Sequence, residues 1–106
     1  MKPSRHVFVC TNRRDADFGM PSCGANDGAR VLALLREARA ARGLYRELFL
    51  TESACLGVCP DAGATVVVYP EGVWYVGVLA ADVAEIFEQH LVRGEPVTRL
   101  LDRRFA

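Results

Sequence analysis

The stretch ATVVVYPEGVWYVGV, residues 64–78, decides how the chain is read. It holds two runs of valine and aromatic residues on either side of Pro70-Glu71-Gly72. Such residues suit a pleated strand, and Pro and Gly at the join supply a turn, so the stretch predicts a β-hairpin. Upstream, RHVFVC (5–10) is apolar and β-branched and predicts a buried first strand. A helix is predicted over roughly 27–42, where Val31, Leu34, Leu35 and Ala38 repeat at helical spacing. Asn26 or Asp27 can cap its start and Gly43 its end. LYRELFLT (44–51) alternates as a second strand, and 52–63 follows as a loop. Downstream, ADVAEIFEQHLVRG (81–94) predicts an amphipathic helix, with Val83, Ile86, Phe87 and Leu91 on one face and Gly94 as its stop. The tail EPVTRLLDRRFA contains Pro96 and reads as extended at first, with a loose end.

The order is β-α-β, then β-β-α. A βαβ unit needs a crossover helix and makes a parallel pair, whereas the hairpin adds antiparallel strands. The expectation is an α/β domain of the thioredoxin-like order: a single mixed sheet with helices. At 106 residues the chain is expected to form one domain, 1–106, acting as a free-standing unit.

Composition removes several functions. Lys plus Arg equals Asp plus Glu at 13 each, so no bulk charge points to nucleic acid or a membrane surface. The signatures of nucleic-acid readers are absent, and no apolar run reaches the length of a membrane span. The N-terminal run MKPSRHVFVC is too short in apolar residues for a secretory signal, so the expected location is cytoplasmic. Thiols are kept reduced there, and four cysteines then suggest metal binding or catalysis before structural disulfides.

Those cysteines form the pattern C-x12-C-x31-C-x3-C. Cys10 ends the first strand. Cys23 lies in the long loop 11–26, and Cys55 and Cys59 lie in SACLGVCP (53–60), after the second strand. In parallel β-α-β units these strand ends share one sheet edge, where sites collect. Four thiolates converging there can hold zinc or an iron–sulfur cluster. A structural zinc site usually uses two tight pairs, and only the second pair here is tight. A two-iron cluster is longer than one ion and can be served by two separated pairs. No C-x-x-C follows the first strand, which weighs against a thiol redox protein.

With HVFVC, SCGANDG, SACLGVCP, VVVYPEGVWY and DVAEIFEQHLVRGEPVTRL in place, the chain resembles the thioredoxin-like, or Shethna-type, [2Fe-2S] ferredoxins over nearly its whole length. The resemblance implies that Cys10, Cys23, Cys55 and Cys59 are the cluster ligands, Cys10 with Cys23 on one iron and Cys55 with Cys59 on the other. It implies a one-electron carrier and not an enzyme, working between redox protein partners such as a reductase or oxidoreductase, and a homodimer. The apolar hairpin and the last helix are the candidate contact surfaces. Gly57 lets the SACLGVCP backbone approach the metal, and Pro60 stiffens its exit. Two ferric irons, two sulfides and four thiolates carry two net negative charges, and reduction adds a third. Arg13 and Arg14 are therefore candidates for easing reduction or steering a partner, against the plainer reading of solvated loop charges.

Other residues have bland readings. His90 could in principle ligate iron, but near a helix C-terminus it is read as complementing the dipole. His6 is read as structural, Trp74 and Tyr75 as packing on the hairpin, and Arg30, Arg36, Arg39 and Arg42 as a solvated helix face. Two rival functions are a redox-sensing module that regulates or protects a partner enzyme, and a zinc-stabilised domain.

Overall fold

The computed structural model describes residues 4–11, 28–54 and 63–102. Strand β1 (Arg5–Cys10) lies inside the sheet because its residues pair on both sides. On one side β1 runs parallel to β2 (Leu48–Ser53), from Arg5↔Leu48 to Cys10↔Ser53. On the other it runs antiparallel to β3 (Ala64–Tyr69), which turns into β4 (Val73–Val78). The sheet order is β2-β1-β3-β4, mixed as expected. The hairpin falls where the sequence places it, and the Tyr69–Pro70 peptide is cis.

Helix α1 (Gly28–Arg42) is the crossover between β1 and β2. Asn26 and Asp27, its expected caps, lie outside the described residues. Gly43, at φ 63, ends it as expected. The Gly43 N–H bonds to the Ala40 carbonyl (3.2 Å) and the Leu44 N–H to that of Arg39 (3.1 Å), so two of the last carbonyls are satisfied. The second helical segment, α2, covers 80–92 as a 3-10 turn (Ala80–Asp82), an α-helical turn (Val83–Glu85) and a π-helical stretch (Ile86–Val92). Plain α-helix over 81–94 was the expectation. No Pro or Gly interrupts the run, so its winding comes from tertiary packing of the buried side, which outweighs local propensity. Gly94, at φ 84, follows it as the expected stop.

The two helices touch each other and cover one sheet face. Val31, Leu32 and Leu35 of α1 and Ile86, Phe87 and Leu91 of α2 pack there with Val7, Val9, Val66, Val68, Tyr75 and Val78. The buried stripe of α1 includes Leu32, which the sequence reading missed, while Leu34 and Ala38 are only partly buried. Leu35 is 1% exposed. Leu35→Ala is therefore expected to lower unfolding stability in urea by about 2–5 kcal/mol, since the closed core cannot fully collapse onto the gap.

One further expectation is corrected. Strand β2 starts four residues later than predicted and runs through Ser53, because the Leu48 N–H bonds back to the Leu44 carbonyl (3.0 Å) and holds 44–47 in a turn. Pairing with β1 then carries Glu52 and Ser53 into the strand. The apolar side of α2 faces the core, while Val92 of the same segment is exposed. The tail is extended at Val97, as expected, and beyond it packs on the sheet: Val97, Leu100 and Asp102 are buried, Leu101 bridges Tyr75, and the Asp102 N–H donates to the Trp74 carbonyl (2.8 Å). Residues 103–106 lie outside the described ones.

The opposite sheet face carries no helix among the described residues. Phe8, Val67 and Trp74 sit side by side across it, and His6 stacks on Phe8 with ring centroids 4.3 Å apart. His6 also hydrogen-bonds Thr51 (2.6 Å), as fits its structural reading. Phe49 and Tyr69 complete this aromatic row at 41% and 42% exposure. Within the described residues no helix is long and apolar enough to cross a membrane.

Candidate metal centre

Cys10 is the last residue of β1 and is 1% exposed. Its neighbour across the parallel ladder, Ser53, is the last residue of β2, and the Thr11 N–H extends the pairing to the Ser53 carbonyl (3.0 Å). On the other side β3 begins at Ala64, two residues ahead of Val66, the partner of Val9. The segment joining β2 to β3 therefore leaves and re-enters the sheet on either side of β1, at the end where Cys10 sits. That segment carries Cys55 and Cys59. The segment joining Thr11 to Gly28, the first residue of α1, carries Cys23 and starts at the same strand end.

Cys23, Cys55 and Cys59 themselves lie outside the described residues, as do Arg13, Arg14, Gly57 and Pro60. Cys10 and the attachment points of both segments share one edge of the sheet. Cysteine thiolates are soft ligands of the kind that suit iron or zinc. Among the described residues alone, no group of three or more His, Cys, Asp or Glu side chains is placed to hold a metal.

Gly63 closes the Cys55–Cys59 segment against the sheet. Its backbone has φ 76 and lies directly on Gly77, so that a Cβ at position 63 would stand 2.3 Å from the Gly77 carbonyl carbon. Gly77, at φ 67, sits in a bulge where two residues of β4 oppose Thr65 alone. This close approach of two glycines was invisible in the sequence, where neither stands out from the chain's other glycines.

His90 is not a ligand candidate. It is fully buried, and both ring nitrogens are occupied: Nδ1 by the Tyr75 hydroxyl (2.7 Å) and Nε2 by Glu71 (2.6 Å). Arg5 Nε donates to the same Glu71 oxygen (2.9 Å), and the Val97 N–H donates to the Tyr75 oxygen (2.9 Å). Every bond is satisfied if Tyr75 donates to Nδ1 and Nε2–H donates to Glu71, which assigns His90 as neutral. Burial pushes His90 below its ordinary pKa, against the pull of Glu71. Burial opposes ionisation of Glu71, but bonds from Arg5 and His90 hold its carboxyl below the usual value. This chain corrects the helix-dipole reading of His90 and gives buried Tyr75 a polar role beyond packing. Two of the α1 arginines also have partners: Arg42 pairs with Glu88 of α2 (2.6 Å), and Arg39 lies 5.0 Å over the Tyr45 ring, while Arg30 and Arg36 are exposed as expected.

No family model matches the chain. Individual relatives do. A protein named "Ferredoxin, 2Fe-2S" from Clostridium pasteurianum is 39% identical over 100 residues, covering 94% of this chain and 97% of that protein. One of the same name from Aquifex aeolicus (strain VF5) is 38% identical over 102 residues, covering 95% and 91%. The crystal structure of the wild-type thioredoxin-like [2Fe-2S] ferredoxin from Aquifex aeolicus superposes with a TM-score of 0.86 at 37% identity, covering 95% of this chain and 97% of that one. A cysteine-to-serine variant of that ferredoxin gives 0.85 at 38% identity, covering 92% and 96%. With the four-stranded mixed sheet and its two helical segments, these likenesses place the chain in a family: it belongs to the thioredoxin-like [2Fe-2S] ferredoxins.

Proposed function

We propose that this chain is a single-domain carrier that holds one [2Fe-2S] cluster through Cys10, Cys23, Cys55 and Cys59 and passes electrons between redox proteins. The observation that carries the ligand assignment is the sheet edge. Cys10 ends β1, and the Cys55–Cys59 segment joins the strands on either side of it at that end. Cys10 with Cys23 would hold one iron, and Cys55 with Cys59 the other. The cluster supplies one-electron exchange without making or breaking a substrate bond, which makes the protein a carrier and not an enzyme. The chain's part is to hold the thiolates on a rigid edge and limit water. Burial of Cys10 beside the β1–β2 ladder does both for one ligand.

Serine substitution at each cysteine tests this. Each of the four variants is expected to lose iron or shift the visible and electron paramagnetic resonance spectra, whereas Ser53→Ala keeps the wild-type signature. A cysteine whose replacement leaves both spectra unchanged drops out of the ligand set.

The reading also includes a homodimer in the cytoplasm, where reduced thiols favour cluster assembly. The sheet face that carries no helix among the described residues is the surface that favours a second copy, because Phe49 and Tyr69 extend an aromatic row there. Sedimentation of the wild type is expected to give twice the chain mass. Phe49→Glu combined with Tyr69→Glu is expected to give the single-chain mass with the cluster retained. A double variant that sediments like the wild type would move the interface elsewhere.

A further inference from the structure

The hydrogen-bond chain through His90 joins the start of β1, the hairpin and the tail, which are distant in sequence. Arg5 comes from the start of β1, Glu71 from the hairpin turn, Tyr75 from β4, and the Val97 N–H from the tail. The tail is otherwise fixed to the β4 edge by the Asp102 N–H on the Trp74 carbonyl, and to α2 by the Gln89 side-chain amide on the Pro96 carbonyl (3.0 Å). Arg99 adds ion pairs with Asp82 (2.8 Å) and Glu85.

We propose that His90 and Tyr75 form a proton-sensitive latch that fastens the segment 95–102 to the edge of β4. Neutral His90 accepts the Tyr75 O–H, leaving the Tyr75 oxygen to accept the Val97 N–H. A second proton on the ring turns Nδ1 into a donor, and the hydroxyl must then accept from both sides. Its own hydrogen loses its acceptor in a fully buried site, which weakens the hold on Val97. Among the described residues, the charged groups acting on His90 are Glu71, which favours protonation, and Arg5, which opposes it. Glu88, on the same helix, is paired with Arg42. Because burial lowers the pKa of His90, the latch stays closed at neutral pH and opens below the ordinary histidine range. Burial opposes ionisation of Glu71 and Asp82, but bonds from Arg5 and from Arg99 hold the two carboxyls below their usual values. None of these latch bonds is made by Cys10: Arg5 and Glu71 lie at the opposite end of β1, and Tyr75 stands two strands from Val9, roughly 10 Å, by way of Val66.

Amide hydrogen exchange on the intact, cluster-loaded protein tests this, read by nuclear magnetic resonance between about pH 7 and 4.5. The expected result is that the protection factor at Val97 drops by about tenfold or more as the ring nitrogens of His90 report protonation, while Phe8 in the sheet centre holds its own. In Tyr75→Phe, Val97 is expected to be poorly protected at every pH, with no step. Loss of protection at Val97 and Phe8 together, no loss at Val97 while His90 protonates, or a step that survives in Tyr75→Phe would each overturn the latch. The wild-type titration decides the matter even if the variant fails to fold.

Discussion

Gly63→Ala is expected to cost the fold at least about 3 kcal/mol and to speed loss of bound metal. Two effects add. At φ 76 an L side chain meets the steric cost of the left-handed region. The new Cβ would also stand 2.3 Å from the Gly77 carbonyl carbon, 2.6 Å from its oxygen and 2.7 Å from its Cα. All three are backbone atoms of a sheet strand, so no flexible side chain can swing away. One backbone must move, and Gly63 is where the Cys55–Cys59 segment rejoins the sheet. Gly43→Ala is the control: φ is 63, but nothing lies within 4 Å of the added Cβ, so only the conformational cost of about 1 kcal/mol applies. Urea unfolding of both variants, with iron release to a chelator, checks the comparison. Equal destabilisation by the two would mean that the Gly63–Gly77 contact does not constrain the molecule.

His90→Phe is the second large effect. It keeps an aromatic ring in a fully buried position but removes the acceptor for Tyr75 and the donor to Glu71. Leaving those groups unsatisfied is expected to cost about 2–4 kcal/mol. The substitution also removes a pH dependence whose sign follows from burial. The folded protein holds the His90 pKa below its ordinary value, while the unfolded chain titrates it normally near 6.5. Above that pH both states are neutral and the group contributes no slope. Below it the unfolded chain takes up a proton that the folded state refuses, so stability falls with falling pH, by up to about 1.4 kcal/mol per unit, until folded His90 protonates. Urea midpoints between about pH 7 and 5 are expected to show that fall in the wild type and a smaller one in His90→Phe. Parallel curves would assign the acid sensitivity to other groups.

These two sites show where reading the sequence stops. Local chemistry was legible: valine and aromatic runs around Pro70-Glu71-Gly72 predicted the hairpin, and Gly43 and Gly94 predicted both helix ends. The cysteine spacing and its flanking motifs pointed to the family. What was missed depends on pairing between distant segments. The start of β2 is set by a turn bond from Leu48 to Leu44, and its end by register with Cys10. Leu32 is buried because α1 packs against both the sheet and α2, which a periodicity count on one helix does not see. His90 reads as a helix-end residue until Glu71 and Tyr75 arrive from the hairpin, and the bridge from Leu101 to Tyr75 is a pairing that the tail's own residues do not announce.

The central claim is that four thiolates hold a two-iron cluster. The most direct measurement is an anaerobic visible absorption spectrum of the purified chain, with iron, sulfide and zinc assayed on the same sample. The expected result is a red-brown protein whose bands bleach on reduction, with two irons and two sulfides per chain, as the names of its relatives imply. A colourless protein holding one zinc and no sulfide, even after cluster reconstitution, would contradict the account and leave a zinc-stabilised domain in its place.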